Sequence, residues 1–387
     1  MKRSTYVLLA LVSVALVAFG IAVLIGIRLD PELSPMGVYY LSMTCRCPWH
    51  NMPKAVMYLS PGQPWSIHAI PGPFRYRALV PWLAGHLPFA AETSLSGVTY
   101  VTLAVTYYMV LLSARRLGVA VWASVCGLAL AFVFEPNLYA YYHPFLVDGP
   151  GLLVIATMVY ALAVDSFWLF AIAGLSGIFA REVTVLLLPV WCVRDFKRGV
   201  VLTAVGSLAL LIERRVLYGP PDTIDPMGIL MRRVHNPIDN LLVVLLPTWS
   251  WAFAVLAIGV SLMPKEAFRT VAPMTAGVAV AALFSLLLAT DAPRLFGILF
   301  PVVAIAAARL IMVLAEHRQR LLLTLLAGLV VLQFCVSGGT RVSPHPEELA
   351  RAVHPVWLGA AWVLTATVVL RREIMDGIRQ KLTPSVV

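Results

Sequence analysis

Charged side chains are scarce in this sequence: only 12% of the 387 residues carry a charge, whereas 60% are hydrophobic. A soluble domain has about 25% charged residues, so the soluble globular class is excluded. A disordered chain is polar and charged, and that class is excluded for the same reason. What remains is a protein built mainly from apolar segments that cross a membrane.

Several motifs of common enzyme and transporter classes are also missing. The chain contains no phosphate-binding loop, no dinucleotide fingerprint, no H-E-x-x-H and no G-x-S-x-G. ATP-driven transport, zinc proteolysis and serine-hydrolase chemistry therefore have no support. The net charge of +10 would indicate nucleic acid in a soluble protein. In a membrane protein we attribute it to orientation, and we expect no nucleic-acid partner.

Apolar runs of a length suited to membrane-crossing helices recur along the chain. They lie near 5–27, 97–113, 119–135, 149–164, 167–180, 183–193, 200–212, 242–262, 270–290, 295–315, 321–337 and 356–370. With the N-terminus in the cytoplasm, nearly all inner connections are basic, among them Arg115-Arg116 and Arg371-Arg372. The sequence thus predicts an all-α integral membrane protein of about 12 transmembrane helices, as a single polytopic domain over 1–387 with both termini cytoplasmic.

The stretch 167–193 tests this count, because it can be read in two ways. A single helix would be about 40 Å long and would leave Arg181-Glu182 at mid-membrane. It would also place the basic residues after 193 outside. Two short helices meeting at Arg181-Glu182 on the outer side preserve the charge bias, so we predict a helical hairpin there.

The predicted outer side holds two long loops, 28–96 and 213–241. The first loop is expected to include helices lying in the membrane interface. Basic residues on a translocated face run against the positive-inside rule, so something must compensate them. An anionic ligand such as a phosphate or pyrophosphate head group would do so, since arginine offers it bidentate donors. Structural ion pairs with outer acids are the alternative.

Two acids, Asp30 and Glu32, follow directly after the first apolar run. Carboxylates at the membrane surface suit a general base or the joint binding of a divalent cation, and a solvated helix end is the alternative. Farther along the same loop, Arg75 and Arg77 are spaced i, i+2. They share one face only if the chain is extended there, and snorkelling at the interface is the alternative reading.

Three more outer segments hold candidate residues. Arg181, with Glu182 supporting it, is interpreted either as an anion-binding residue or as a structural ion pair closing the hairpin. Asp148 precedes Gly-Pro and is typical of a helix N-cap. His143 suits acid–base chemistry or an interfacial hydrogen bond, and Arg294 is predicted to face the same cavity as Arg181.

The arrangement resembles the GT-C superfamily of membrane glycosyltransferases, which use sugar donors linked to polyprenyl phosphate. Three stretches carry the resemblance: P-F-R-Y-R-A-L-V-P-W-L-A (73–84) in the first outer loop, A-R-E-V-T-V-L-L-L-P (180–189), and D-A-P-R-L-F-G-I-L-F-P (291–301). Their order and the predicted topology extend the likeness over most of the chain. The departure is D-P-E at 30–32, where many members have paired Asp residues or D-x-D.

The resemblance implies inverting transfer of a sugar to a glycan, lipid or protein acceptor at the outer face of the cytoplasmic membrane. Asp30 matches the catalytic acid of the first loop, with Glu32 as a rival base. Arg181 and Arg294, with Arg75 and Arg77, would neutralise the donor phosphate, and membrane lipids would surround the protein. No cofactor is firmly implied, and a divalent cation (Mg²⁺ or Mn²⁺) stays open. The alternative function is a transporter or flippase of a lipid-linked or anionic substrate.

Overall fold

The computed structural model describes residues 3–26, 79–132, 141, 148–217, 246–288, 296–339, 358–359 and 361–382. In these ranges the chain is almost wholly helical and forms no strand, which confirms the all-α class. Helices are the expected outcome for so apolar a chain, because a helix satisfies its backbone hydrogen bonds internally where no water is present.

The described helices have the following order along the chain. They are α1 (Arg3–Gly26), α2 (Leu79–Gly85), α3 (Ala91–Arg116), α4 (Val121–Phe132), α5 (Asp148–Ala163), α6 (Phe167–Ala180), a 3₁₀ helix (Glu182–Val193), α7 (Phe196–Leu217), α8 (Leu246–Ser261), α9 (Lys265–Leu288), a short 3₁₀ turn (Phe296–Leu299), α10 (Phe300–Glu316), α11 (Arg320–Gly339) and α12 (Arg371–Leu382). Residues 361–369 are helical as well.

Three helical segments are long and apolar enough to cross a membrane: Arg3–Ala22, Ala91–Arg116 and Gly297–Glu316. Shorter apolar helices include Asp148–Ala163 and Phe167–Ala180. This composition supports membrane association, while the twelve-span topology stays a prediction. In the predicted first outer loop, α2 exposes Trp82 and buries Val80, and its place at an interface is likewise still a prediction.

The chain divides into two compact units. The first comprises Met1–Met109 and Tyr139–Gly228, and the second comprises Val110–Leu138 and Ile229–Val387. The single polytopic domain over 1–387 stays a prediction.

The first unit contains a helical hairpin whose tip is Arg181. Contacts pair residues at similar distances along the chain on either side of that residue: Gly177 faces Thr184, Gly174 faces Leu188, and the rings of Phe170 and Trp191 lie 5.1 Å apart. The two arms are therefore antiparallel. The helix break at Arg181-Glu182 is confirmed, and a single continuous helix over 167–193 is excluded.

The second arm of the hairpin is a 3₁₀ helix of 12 residues, including Pro189. A 3₁₀ helix rises about 2.0 Å per residue, so this arm is about 24 Å long. The first arm has 14 residues of α-helix and is about 21 Å long. Because a 3₁₀ helix rises more per residue, the arm with fewer residues is about as long as the other arm. Both arms are shorter than a hydrocarbon core about 30 Å thick.

The core of the second unit is α10, which is buried continuously from Phe300 to Ala308. It packs mainly against α4 and α8. Gly259 of α8 lies against the backbone of Ala306, so closely that a Cβ at Gly259 would collide with backbone atoms. Close approach of two backbones through a small residue is a common way for helices to associate in membranes.

The one charged residue within the apolar part of α10 has a local explanation. Arg309 donates a hydrogen bond from Nε to the carbonyl oxygen of Leu262 at 2.9 Å. Leu262 directly follows α8, and the carboxyl end of a helix has unsatisfied carbonyls and a partial negative charge. Arg309 therefore stabilises the end of α8.

Replacing Gly259 with alanine tests this packing. We expect Gly259→Ala to lower the free energy of unfolding by about 1–3 kcal/mol, because α8 and α10 must separate to admit the methyl group. Gly328→Ala is the matched control: a Cβ at Gly328 meets nothing within 4 Å, so alanine there is neutral or stabilising. Thermal unfolding in detergent measures both, and equal midpoints for the two variants would contradict the packing.

Candidate functional site

Four ionisable residues lie at the same end of the helices of the first unit. Asp148 begins α5, Arg181 and Glu182 lie between α6 and the 3₁₀ helix, and Glu213 is near the end of α7. Successive helices run antiparallel, so these positions, far apart in sequence, come to one side. We call these four residues the carboxylate–arginine cluster. By the sequence-based topology, this end is the outer one.

The centre of the cluster is an ion pair between Arg181 and Asp148, whose Nη1 and Oδ1 atoms lie 3.3 Å apart. Both residues are buried, with 2% of Arg181 and 4% of Asp148 exposed. Gly151, one helical turn after Asp148, leaves room for the arginine, since a Cβ there would lie 3.0 Å from Arg181 Cδ. The pair thus fastens the hairpin tip to the start of α5.

The backbone at the hairpin tip fixes the direction of the arginine. The Arg181 N–H donates to the carbonyl of Gly177 at 2.6 Å, and its own carbonyl accepts from both the N–H and the Oγ1 of Thr184 at 3.0 Å. Arg181 itself is extended, with φ −159° and ψ 106°. With its backbone groups bonded in this way, the residue has little freedom to turn away from Asp148.

Glu213 is the most unusual member of the cluster. Only 4% of it is exposed, and its two carboxylate oxygens have no hydrogen-bond partner among the residues that the structure describes. It lies just beyond the predicted span 200–212. The pKa of its carboxyl rises from 4.5 to about 7, chiefly through burial, with the negative charge of Glu182 adding to the rise and Arg214 opposing it. Glu213 is therefore suited to hold a proton near neutral pH.

The opposite end of the same helices is built differently. Arg194 lies 4.0 Å from Asp165 and donates to the carbonyl of Leu162, while Arg198 lies 3.4 Å from Asp195. These side chains are partly or largely exposed, and such pairs contribute little to stability. Among these ion pairs, the buried one thus lies at the cluster end, whereas those at the other end are partly or largely exposed.

The structure describes three of the predicted site residues, and it places them together. Asp148, Arg181 and Glu182 all belong to the cluster, but the partner of Arg181 that the structure gives is Asp148, which the sequence suggested as a helix cap. The structural alternative for Arg181 is an ion pair at Arg181-Glu182 that closes the hairpin, whereas the pair that the structure gives joins Arg181 to Asp148 of α5. The predicted Asp30, Glu32, Arg75, Arg77, His143 and Arg294 lie outside the described residues, and their roles stay predictions.

Sequence reasoning missed Glu213 as a site residue. The sequence predicts only that Glu213 is the first residue of the outer loop 213–241. The signal that pointed to it is its position: an acid directly after an apolar run, level with the hairpin tip when the helices alternate in direction.

The cluster offers two chemical features, a carboxyl suited to proton transfer and an ion pair held in a fixed position. Among the described ranges, no group of three or more His, Cys, Asp and Glu side chains is arranged to hold a metal ion. The cluster combines three carboxylates with one buried guanidinium. Of the three, Glu213 has a pKa raised to about 7 and is suited to proton transfer at neutral pH, whereas the charge of Arg181 is already balanced by Asp148.

Comparison of the chain with protein-family models, with curated proteins and with solved structures gives no match. Functional assignment therefore rests on the residues themselves.

The ion pair yields a testable stability effect. Arg181→Gln leaves the Asp148 carboxylate buried without its cation, and breaking such a pair costs about 3–5 kcal/mol. The double variant Arg181→Gln/Asp148→Asn removes both charges and should recover most of that loss. Thermal unfolding in detergent measures the three proteins. A double variant no more stable than the single one would show that the two charges do not interact.

The buried carboxyl of Glu213 predicts a pH-dependent stability. In the unfolded chain the group ionises above pH 4.5, whereas in the folded chain it keeps its proton until about pH 7. Its cost to stability therefore begins as the pH rises above 4.5 and reaches about 3 kcal/mol above pH 7. Glu213→Gln should thus raise the unfolding midpoint at about pH 8 and change it little at about pH 5. A gain of equal size at both values would contradict the buried, protonated carboxyl.

Proposed function

We propose that the protein is a membrane glycosyltransferase that transfers a sugar from a polyprenyl-phosphate-linked donor to an acceptor at the extracytoplasmic face. The observation that supports this best is the buried carboxylate–arginine cluster at one end of an apolar helical unit. Buried ionisable residues in apolar helical proteins are costly and are functional by default. The proposal includes twelve transmembrane helices, both termini in the cytoplasm, and a location in the cytoplasmic membrane.

The position of the cluster suits a reaction between a lipid and a polar acceptor. The hairpin arms are shorter than a hydrocarbon core, so the tip at Arg181 has to lie within protein or a wet cavity. A lipid-anchored donor reaches such a place from the side, through the membrane. A glycan, lipid or protein acceptor reaches it from the aqueous face.

The reaction needs a base for the acceptor hydroxyl and positive charge for the leaving phosphate. We assign the base to Asp30, with Glu32 as its rival, following the likeness to the GT-C superfamily. Arg181 enters this scheme with its charge balanced by Asp148, so it offers directed N–H donors and little net charge. The net positive charge would come from Arg294, Arg75 and Arg77, and a Mg²⁺ or Mn²⁺ ion is the open alternative.

The supporting residues then have distinct tasks. Asp148 holds the guanidinium of Arg181 in place, and the charge of Glu182 adds to the rise that burial causes in the pKa of the Glu213 carboxyl. His143 is the remaining candidate for moving a proton at this face. The reaction so drawn requires no nucleotide, which agrees with the absence of nucleotide-binding motifs in the sequence.

Donor consumption by the purified protein tests the proposal. Incubation with a panel of polyprenyl-phosphate sugars and simple acceptors should release polyprenyl phosphate from one of them. Asp30→Asn should lower that rate by about 10²–10⁴-fold, as loss of a general base does, and Glu32→Gln should lower it much less. Asp195→Asn, a substitution at the opposite end of the helices, is the matched control and should retain the full rate. Full activity of Asp30→Asn, in a protein that unfolds at the wild-type temperature, would refute the assigned base.

A second function, transport of a lipid-linked or anionic substrate coupled to protons, is favoured by one observation. Glu213 is a buried carboxyl without a hydrogen-bond partner among the described residues, and proton-coupled transporters use such groups. Proteoliposomes separate the two functions. Substrate uptake that Glu213→Gln abolishes would favour transport, whereas donor consumption without net movement of substrate favours transfer.

A further inference from the structure

Helix α12 (Arg371–Leu382) differs from every long apolar helix described above. It is polar on average, yet its apolar residues Ile374, Met375 and Ile378 have the spacing i, i+1, i+4. Residues at this spacing share one face of an α-helix. Met375 and Ile378 are 45% and 37% exposed, so this apolar face is partly uncovered.

The basic and acidic residues of α12 lie on different sides of the helix. Arg372 and Arg379 border it, and Arg371 starts the helix. The acids Glu373 and Asp376 lie on the opposite side, away from Met375 and Ile378. An apolar face bordered by basic residues, with acids turned away, is the arrangement of helices that lie in a membrane interface.

One acid of α12 attaches the helix to the protein. Glu373 Oε1 lies 3.1 Å from Nε2 of His317, in the connection between α10 and α11. The helix also contacts α8 and α9 within the same unit. Glu373 is half-buried at this attachment, whereas Met375 and Ile378 on the apolar face are exposed, so these two side chains are directed away from it.

Neighbouring connections add basic residues at the same end of the second unit. Arg318 lies in the connection that holds His317, Arg320 begins α11, and both are exposed. Arg371 and Arg372 are exposed as well. Residues 361–369 form an apolar helix that leads directly into α12, so α12 begins where a membrane segment would leave the bilayer.

We infer that α12 is a membrane-surface helix that binds anionic phospholipids, with Ile374, Met375 and Ile378 in the interface and Arg371, Arg372 and Arg379 contacting lipid phosphates. Long basic side chains reach the head groups while their stems stay against apolar surface. The cytoplasmic leaflet of a membrane is the anionic one. The site belongs to the second unit, whereas the carboxylate–arginine cluster belongs to the first, and the lipid site does not depend on the proposed reaction.

Charge complementarity favours lipid over a second copy of this chain as the occupant. A second copy would place the arginines of two α12 helices beside one another, and like charges at close range repel. An anionic lipid surface offers the opposite charge next to an apolar layer, which matches both features of the helix.

Backbone amide exchange in lipid nanodiscs tests this inference with the full chain. Amides of 371–382 should exchange at least about tenfold more slowly in an equal mixture of phosphatidylcholine and phosphatidylglycerol than in phosphatidylcholine alone. Arg372→Gln/Arg379→Gln and Met375→Ser/Ile378→Ser should each remove this lipid-dependent ratio. Asp376→Glu, on the opposite face, is the matched control and should keep it.

The readout is the ratio of the amide exchange rates of 371–382 in the two lipid compositions. A general loss of helix stability in a variant raises both rates and leaves this ratio unchanged. Exchange rates elsewhere in the chain should be the same for all variants. Equal exchange of 371–382 in the two lipids would overturn the inference. Protection that grows with protein concentration, independent of lipid charge, would overturn it in favour of contact between two copies.

Discussion

The interaction on which the rest of the first unit depends is the buried ion pair between Arg181 and Asp148. Burying a guanidinium that is 2% exposed is strongly unfavourable without a partner of opposite charge. Asp148 supplies that partner from another helix, so the pair fixes the hairpin tip against the start of α5. The break between α6 and the 3₁₀ helix lies at the same residue, so the chain reverses where the pair forms.

The pair also changes what the arginine can do. A free arginine attracts an anion by its charge, whereas one already neutralised contributes mainly directed hydrogen bonds. The remaining acids, Glu182 and Glu213, make the described part of the cluster rich in carboxylates. Proton transfer thus fits this end of the protein at least as well as anion binding, and a phosphate-bearing substrate needs additional basic residues beyond Arg181.

Local signals in the sequence predicted much of the helical architecture. Hydropathy predicted the helices, and the requirement for basic inner connections predicted the hairpin at Arg181-Glu182 in place of one long helix. Which side chains contact each other across different helices was not predictable from these local signals. Asp148 was interpreted as a cap because its neighbours in sequence are Gly and Pro, and its ion pair depends on a residue more than thirty positions away. Glu213 was missed for the same reason, since its burial results from packing.

We propose that a polyprenyl-phosphate donor binds at the end of the first unit that holds Asp148, Arg181 and Glu213. Photo-crosslinking with a diazirine-bearing polyprenyl phosphate, followed by peptide mapping, tests it most directly. The account predicts adducts on the segments 148–151, 180–184 and 210–215 that unlabelled donor suppresses. Adducts confined to the opposite end, near 162–166 and 194–199, or adducts that unlabelled donor does not suppress, would contradict it.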